Sequence, residues 1–140
     1  MPHAPHENPV QFPMVVLRHE LADGSFHFDW MFARENPPTT NLITLRTCER
    51  PDECVAGKII SAERIGDHRI VYLNYEGPIS RNRGSVTQVA SGLYVDINHP
   101  VHPWGLTATP SIHLQVTWTD QQHLSQLWMI DLDSGTAQLI

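Results

Sequence analysis

Alternation of apolar and polar residues with a period of two is the feature that most restricts what this chain can fold into. In the stretch 26–33, Phe26, Phe28, Trp30 and Phe32 fall on one face, and polar residues fall between them. Side chains of a β-strand alternate between its two faces, so this stretch predicts a strand whose aromatic face points into a core. Other stretches that favour strands are 14–18, 41–46, 69–75, 85–89, 92–97, 111–119 and 136–140, whereas 58–64 and 124–132 fit either a strand or a short helix.

Turn signals separate these stretches at short intervals. Asp23-Gly24 predicts a hairpin between strands 14–18 and 26–33, and Ala90-Ser91-Gly92 predicts another between 85–89 and 92–97. The proline-containing stretches 35–40 and 99–110 favour loops. Seven to nine short strands, with no convincing amphipathic helix, predict an all-β, mainly antiparallel fold. We expect a small closed or partly open β-barrel with long loops and little helix, whose mouth holds a site.

Length and charge restrict the class of protein further. The 140 residues fit one domain, with a polar, proline-rich lead-in at 1–13 and a single domain at 14–140. The formal net charge of −6 argues against a binder that grips nucleic acid by bulk positive charge. No apolar run is long enough for a membrane span, and no secretory leader is recognisable, so we expect a cytoplasmic protein with no membrane partner. Cys48 and Cys54 suggest no disulfide framework; they are read as two ordinary thiols or, alternatively, as a local zinc site.

A first group of chemically capable residues surrounds the predicted hairpin turn. His27 and Asp29 lie two positions apart and therefore share one face of their strand, and His19 lies just across the turn. Two imidazoles and a carboxylate that converge in this way form a three-ligand, open metal site suited to Mn²⁺, Zn²⁺ or Fe²⁺. The alternative is that His27 and Asp29 are simply the polar outer face of an edge strand.

A second group lies in the stretch 67–86. On a regular strand His68 and Tyr72 share a face, and an Arg-rich loop with Arg81, Arg83 and Gly84 follows. An imidazole and a phenol side by side can donate protons to phosphate oxygens or to a leaving group. The alternative is a strand with a surface histidine and a half-buried tyrosine.

Together the two groups resemble a known family. The run DHRIVYLNYEGPISRNRGSV is similar to the D-H-x-x-x-Y-x-x-x-E-G segment of the 3′-phosphoesterase domain of bacterial DNA ligase D, and HELADGSFHFDWMFA is similar to that domain's histidine- and aspartate-bearing strand. The order of the two motifs is the same, and the resemblance covers roughly residues 14 to 130.

The resemblance implies a small β-barrel that trims 3′ ends of DNA in break repair, removing a 3′-terminal ribonucleoside and then a 3′-phosphate. It implies a divalent metal, manganese by preference with zinc or cobalt as alternatives, held by His19, His27 and Asp29. His68 and Tyr72 would be the catalytic residues. The implied partners are nucleic acid 3′ ends and DNA-repair ligase or polymerase proteins, and we expect a monomer.

The chain also departs from that family. Met31 stands where the family has an arginine, Leu17 stands where it has a glutamine, and the interval from His19 to His27 is two residues longer. The alternative function is therefore a non-catalytic module that binds metal or nucleic-acid ends. Residues that could replace the lost phosphate contacts are Arg46, Arg81, Arg83 and His113, and Trp104 is the candidate for stacking on a base.

Overall fold

The structure, a computed structural model, describes residues 10–105, 110–121 and 124–140. Residues 1–9 of the predicted lead-in lie outside the described residues, and the first strand begins at Phe12. The strands are β1 Phe12–Glu20, β2 Phe26–Phe32, β3 Leu42–Thr47, β4 Ile59–His68, β5 Gly77–Pro78, β6 Ser85–Asp96, β7 Ser111–Trp118, β8 Ser125–Asp131 and β9 Thr136–Leu139. Short 3-10 turns occupy Pro51–Glu53, Ile70–Leu73 and Thr119–Gln121.

Eight of these strands form a closed ring, which confirms the predicted all-β fold. The order is β1-β2-β3-β4-β9-β8-β7-β6, and β6 pairs back with β1. All the pairings are antiparallel, and the short β5 is added at the side of β6. The ring is irregular: the pairing register shifts between Val16 and Leu17 where β1 meets β6, and between Leu42 and Thr44 where β3 meets β4.

The interior of the ring is filled by aromatic side chains. Trp30 is fully buried and packs against Trp118 and Trp128, with ring centroids 5.8 and 5.3 Å apart. Of the predicted aromatic face, Phe28, Trp30 and Phe32 reach this core, but Phe26 at the start of β2 is 51% exposed. Phe26 instead packs under the guanidinium of Arg18, 4.1 Å from its ring centroid.

The outer face of β1 and β2 carries a second apolar cluster, which alternation alone would have assigned to solvent. Its buried members are Val15, Leu17, Met31, Ala33, Leu42 and Val86. The segment between β4 and β6 covers this face with four partly buried side chains, Tyr72, Leu73, Tyr75 and Ile79. The hairpin is therefore buried on both faces over most of its length.

The predicted strand at 69–75 was wrong. β4 ends at His68, and Ile70–Leu73 form a 3-10 turn in which the amide of Tyr72 donates to the carbonyl of Arg69. β-Branched and aromatic residues favour strands only where a pleated surface receives them. Here the turn places Tyr72 and Leu73 on the outer apolar cluster, and this tertiary packing overrides the local preference.

The predicted hairpin at 90–92 was also wrong. β6 runs without interruption from Ser85 to Asp96, pairing first with β1 and then with β7. Gly92 allows β6 and β7 to approach closely, because a Cβ atom at this position would lie 2.3 Å from the carbonyl oxygen of Thr117.

Three further predictions have structural outcomes. The uncertain stretches 58–64 and 124–132 belong to strands β4 and β8. Trp104 is no exposed stacking platform, because it is buried against Phe32. Both cysteines are free thiols. No helix among the described residues has the length and apolar character that crossing a bilayer requires.

Replacing Gly92 should therefore destabilise the ring. In Gly92→Ala the new methyl group meets the backbone of β7, and we expect the free energy of unfolding to fall by about 1–3 kcal/mol. Unfolding in denaturant measures this change in free energy. Gly66→Ala is the matched control, because a Cβ atom at Gly66 meets nothing within 4 Å. Equal effects of the two substitutions would contradict the proposed role of Gly92.

Candidate metal centre

The hairpin of β1 and β2 brings the first predicted group together. His19 pairs directly with His27, and Leu17 pairs with Asp29. The longer interval between the two histidines is taken up by the five-residue turn 21–25, in which Asp23 accepts hydrogen bonds from Ser25, so the ladder stays in register. His19 Nδ1 lies 3.2 Å from His27 Nε2.

Asp29 completes the group from a buried position. The residue is 1% exposed, and its oxygens lie 3.3 Å from His27 Nε2 and 3.7 Å from His19 Nδ1. Arg46, its neighbour on β3, approaches with Nε 3.9 Å from Oδ1. Within the described part of the chain Oδ1 receives no hydrogen bond. A buried carboxyl oxygen without a hydrogen bond is costly, so this geometry favours a cation at that point.

A backbone carbonyl sets the tautomer of His19. Its Nε2 lies 2.7 Å from the carbonyl oxygen of Arg83, and a carbonyl oxygen can only accept. Nε2 must therefore carry the proton, which leaves the lone pair of the neutral ring on Nδ1, the atom that faces His27 and Asp29. Metal-binding histidines are commonly oriented by such a hydrogen bond from their second nitrogen.

His27 is held in its neutral form. Burial is the largest effect and lowers the pKa of His27 below the ordinary histidine value. The charge of Arg46 acts in the same direction, as does that of His19 when it is protonated, and Asp29 opposes them. A neutral imidazole is the form that binds a metal ion, so the local environment prepares His27 as a ligand.

The three residues fit a divalent cation. One ligand atom from each lies within 4.8 Å of the others, and this is the only such group among the residues that the structure describes. Metal–ligand bonds of about 2.0–2.2 Å place neighbouring donors roughly 3–3.5 Å apart, close to the separations of 3.2 and 3.3 Å found around His27. The mixed nitrogen and oxygen donors suit a borderline or moderately hard metal.

The second predicted pair also converges here, although by a different route. His68 is the last residue of β4 and Tyr72 lies in the 3-10 turn, yet their rings meet edge to face at 5.8 Å. His68 Nδ1 lies 2.9 Å from the carbonyl oxygen of Gly66, so Nδ1 donates and Nε2 remains for exchange of a proton.

His19 and Asp29 of the first group and both residues of the second line one open cleft of about 530 Å³ on the outer face of the ring, and His27 lies behind them, outside the lining. The expected position, the mouth of a barrel, was wrong, because the cleft lies between the β1–β2 face and the segment that covers it. Its lining comprises His19, Asp29, Met31, Asp67, His68, Arg69, Tyr72, Ile79, Ser80, Arg81, Arg83 and Val86.

Only some of the predicted phosphate-contacting residues line the cleft. Arg81 and Arg83 line the cleft, whereas Arg46 lies beside Asp29 and is not among the lining residues. His113 lies on β7 between two core residues of that strand, with Nε2 3.3 Å from the hydroxyl of Ser111, and is not among the residues that line the cleft.

Sequence reasoning predicted the Arg-rich loop but missed its contact with β1. Arg81 and Asn82 have φ angles of 63° and 55°, as in the two-residue turns that join antiparallel strands. Gly84 follows at φ 89°, and a Cβ atom there would lie 1.9 Å from the carbonyl oxygen of Glu20. This close approach brings the Arg83 carbonyl to His19. The sequence Asn82-Arg83-Gly84 signals a turn, but its contact with β1 has no local signal.

No protein-family model and no curated protein matches this sequence.

Adding a divalent metal should stabilise the protein through this group. At a concentration near 100 times Kd, we expect Mn²⁺ to raise Tm by about 5–10 °C in a thermal melt. Asp29→Asn should remove most of the shift, because it removes the charged ligand and keeps the shape. Asp67→Asn, in the same cleft but outside the group, should retain it. An unchanged shift in Asp29→Asn would mean that the metal binds elsewhere.

Replacing Gly84 should weaken metal binding. Gly84→Ala forces the turn away from β1 and breaks the Arg83–His19 hydrogen bond, and loss of such an orienting partner typically reduces metal affinity about 10–100-fold. Titration calorimetry with Mn²⁺ measures the metal affinity. Gly24→Ala is the matched control, because Gly24 has φ 88° but open space around its Cβ position. If both variants bind metal equally well, the turn does not support the site.

Proposed function

We propose that this protein is a metal-dependent phosphoesterase that acts on 3′ ends of DNA and removes a 3′-ribonucleoside and a 3′-phosphate. The observation that carries the proposal is the convergence, in one cleft, of the metal-binding group with His68 and Tyr72. These residues come from two distant stretches of the chain. They are also the residues to which the likeness to the 3′-phosphoesterase domain of DNA ligase D assigns the metal and the phosphate.

Charge supports an anionic substrate. The whole chain has a formal charge of −6, but the cleft gathers three arginines, Arg69, Arg81 and Arg83, against two aspartates, so its formal charge is 3 − 2 = +1 before any metal is added. Arginine suits phosphate because its planar donors match two oxygens at once. The charge of the chain disfavours broad contact with duplex DNA, and the local charge favours recognition of an end.

The metal that we propose is manganese, with zinc or cobalt as alternatives. When bound, such an ion polarises a phosphoryl oxygen and lowers the pKa of a bound water. His19, His27 and Asp29 would hold it, and Arg83 would orient His19 through its carbonyl group. The remaining chemistry belongs to the side chains on the opposite wall of the cleft.

Hydrolysis breaks the bond between phosphorus and an ester oxygen, and the leaving oxygen then needs a proton. A water molecule supplies the oxygen that bonds to phosphorus, and the proton that it loses balances the one that the leaving oxygen gains. The Gly66 carbonyl holds a proton on Nδ1 of His68, so Nε2 is the nitrogen that takes up a proton, and the doubly protonated ring can then deliver it to the leaving oxygen. The phenol of Tyr72 can donate a hydrogen bond to a phosphate oxygen. Arg81 and Arg83 then stabilise the charge on the remaining oxygens. Arg46 lies next to Asp29 and can neutralise that carboxylate or contact the same phosphate.

A non-catalytic binding module is the alternative, and two buried side chains favour it. Met31 and Leu17 stand where the related domain carries polar residues, and they are 1% and 0% exposed within the outer apolar cluster. Neither can contact a phosphate charge. Under this alternative the cleft binds metal and a nucleic-acid end without cleaving it.

We place the activity in the cytoplasm, on a monomer, next to the ligase or polymerase proteins that process the same breaks. A trimmed 3′-hydroxyl is what both kinds of enzyme require.

Oligonucleotides that end in a 3′-phosphate or in a 3′-ribonucleotide test the proposal. With Mn²⁺, Zn²⁺ or Co²⁺ the purified protein should release phosphate or nucleoside, and His68→Ala should reduce the rate about 10²–10⁴-fold because it removes the proton donor. His102→Ala is the matched control, since His102 is exposed and lies outside the cleft lining.

The two functions give different results in this assay. Turnover that depends on His68 supports the phosphoesterase. Absence of turnover with all three metals contradicts it, and metal-stabilised binding of the same ends then favours the binding module. Gain of activity in Met31→Arg would identify the missing arginine as the reason.

A further inference from the structure

A second depression adjoins the candidate cleft. It measures about 350 Å³ and lies along the segment between β4 and β6. Four of its lining residues, Arg69, Tyr72, Ile79 and Ser80, also line the larger cleft. The two depressions are therefore neighbouring lobes that share one wall.

The two lobes differ in chemistry. The larger lobe is lined by His19 and Asp29 of the candidate metal group, by His68 and by the arginines of the turn. The residues found only in the smaller lobe are Val71, Tyr75 and Pro78, which present aliphatic and aromatic surface. Val71 is 51% exposed, so its side-chain surface is available to a ligand.

Tyr72 forms the boundary between the lobes. Its ring meets His68 edge to face at 5.8 Å on one side and Tyr75 at 5.9 Å on the other. The guanidinium of Arg69 lies 6.0 Å from the same ring, so a cation stands at the junction.

The wall formed by Tyr75 is fixed in place. Its hydroxyl group donates a hydrogen bond to the carbonyl of Pro78, which closes a loop of four residues. Gly77, within that loop, has φ 132°, and a Cβ atom there would lie 3.2 Å from the Tyr75 hydroxyl. The phenol is thus already satisfied, and what the ring offers to a ligand is its apolar surface. A preformed aromatic surface binds a flat group at low entropic cost.

We propose that the smaller lobe binds the base of the terminal nucleotide whose phosphate lies in the larger lobe. The inference rests on the proposed function, since it takes the phosphate to lie beside His68. An apolar, aromatic surface joined to a cationic phosphate site by a shared wall matches a nucleotide, which joins a flat base to a phosphate through one sugar. The contact is made through ring surface and not through donors and acceptors, so it accepts all four bases and rejects an end without a base.

The test compares two single-stranded oligonucleotides with a 3′-phosphate, one ending in a normal nucleotide and one in an abasic residue. Stacking of a base on aromatic side chains is worth roughly a tenfold or greater change in binding. With Mn²⁺ we expect KM for the normal end to be about tenfold lower than for the abasic end, with similar kcat. The dissociation constants of the same two oligonucleotides, from fluorescence anisotropy, should differ by a similar factor.

Variants of the smaller lobe should abolish this difference. Val71→Asp places a charge on the apolar surface and lies outside the larger lobe, so we expect the normal end to bind as weakly as the abasic end while hydrolysis of the abasic end is unchanged. Tyr75→Leu keeps an apolar side chain against the outer cluster but removes the aromatic wall, so it should raise the dissociation constant of the normal end toward that of the abasic end. Val101→Asp is the matched control, because Val101 is 73% exposed and lines neither lobe.

Failure of this inference and failure of the proposed function are distinguishable. Turnover with equal KM for both ends, or a difference that Val71→Asp leaves intact, overturns the base-binding lobe while the phosphoesterase stands. If no metal supports turnover, the anisotropy measurement still tests the base-binding lobe. A preference for the normal end that is lost in Val71→Asp supports a base-binding lobe in a non-catalytic binding module. Equal binding of the two ends overturns it.

Discussion

The contact between the segment 69–84 and the outer face of β1 and β2 is the interaction on which the candidate site depends. Tyr72, Leu73, Tyr75 and Ile79 pack against the apolar residues of that face. Burial of apolar surface drives this contact and, because it is non-directional, needs no regular strand to deliver it. The same packing sets Tyr72 beside His68 and carries the Arg-rich turn to the end of β1. Without it His19, His27 and Asp29 would lie on an open sheet surface.

A buried carboxyl group is the second constraint. Asp29 is enclosed by two imidazoles and by Arg46, and one of its oxygens receives no hydrogen bond from the described residues. Burial disfavours charge unless an opposite charge is near, and Arg46 at 3.9 Å is a distant and exposed partner. A divalent ion between the three donors would satisfy the oxygen more directly. The buried carboxyl oxygen therefore favours a cation at this point. Without one, burying that oxygen without a hydrogen bond would be energetically unfavourable.

The local parts of the fold and of the candidate site could be predicted from the sequence, whereas the parts that depend on contacts between distant segments could not. The pairing of His19 with His27 follows from period-two alternation and one Asp-Gly turn, both of which are local. The 3-10 turn at Ile70–Leu73 could not be predicted, because its residues favour a strand and only the outer apolar cluster makes the turn preferable. Gly92 carries the signal of a turn but is required by a backbone contact with β7. Contacts between distant segments leave no period in the sequence, and they decide where the site lies.

If the hairpin binds a metal ion as proposed, the hydrogen bond from His19 to the Arg83 carbonyl links two equilibria that would otherwise be independent. One is the binding of a cation by the hairpin, and the other is the closing of the turn at Arg81 and Asn82 onto β1. Because such coupling is reciprocal, any factor by which the closed turn tightens cation binding is also the factor by which the cation favours closure. Under the proposed function, a phosphate bound by the two arginines of the turn would therefore strengthen the binding of the ion, and the ion would strengthen the binding of the phosphate by the same factor.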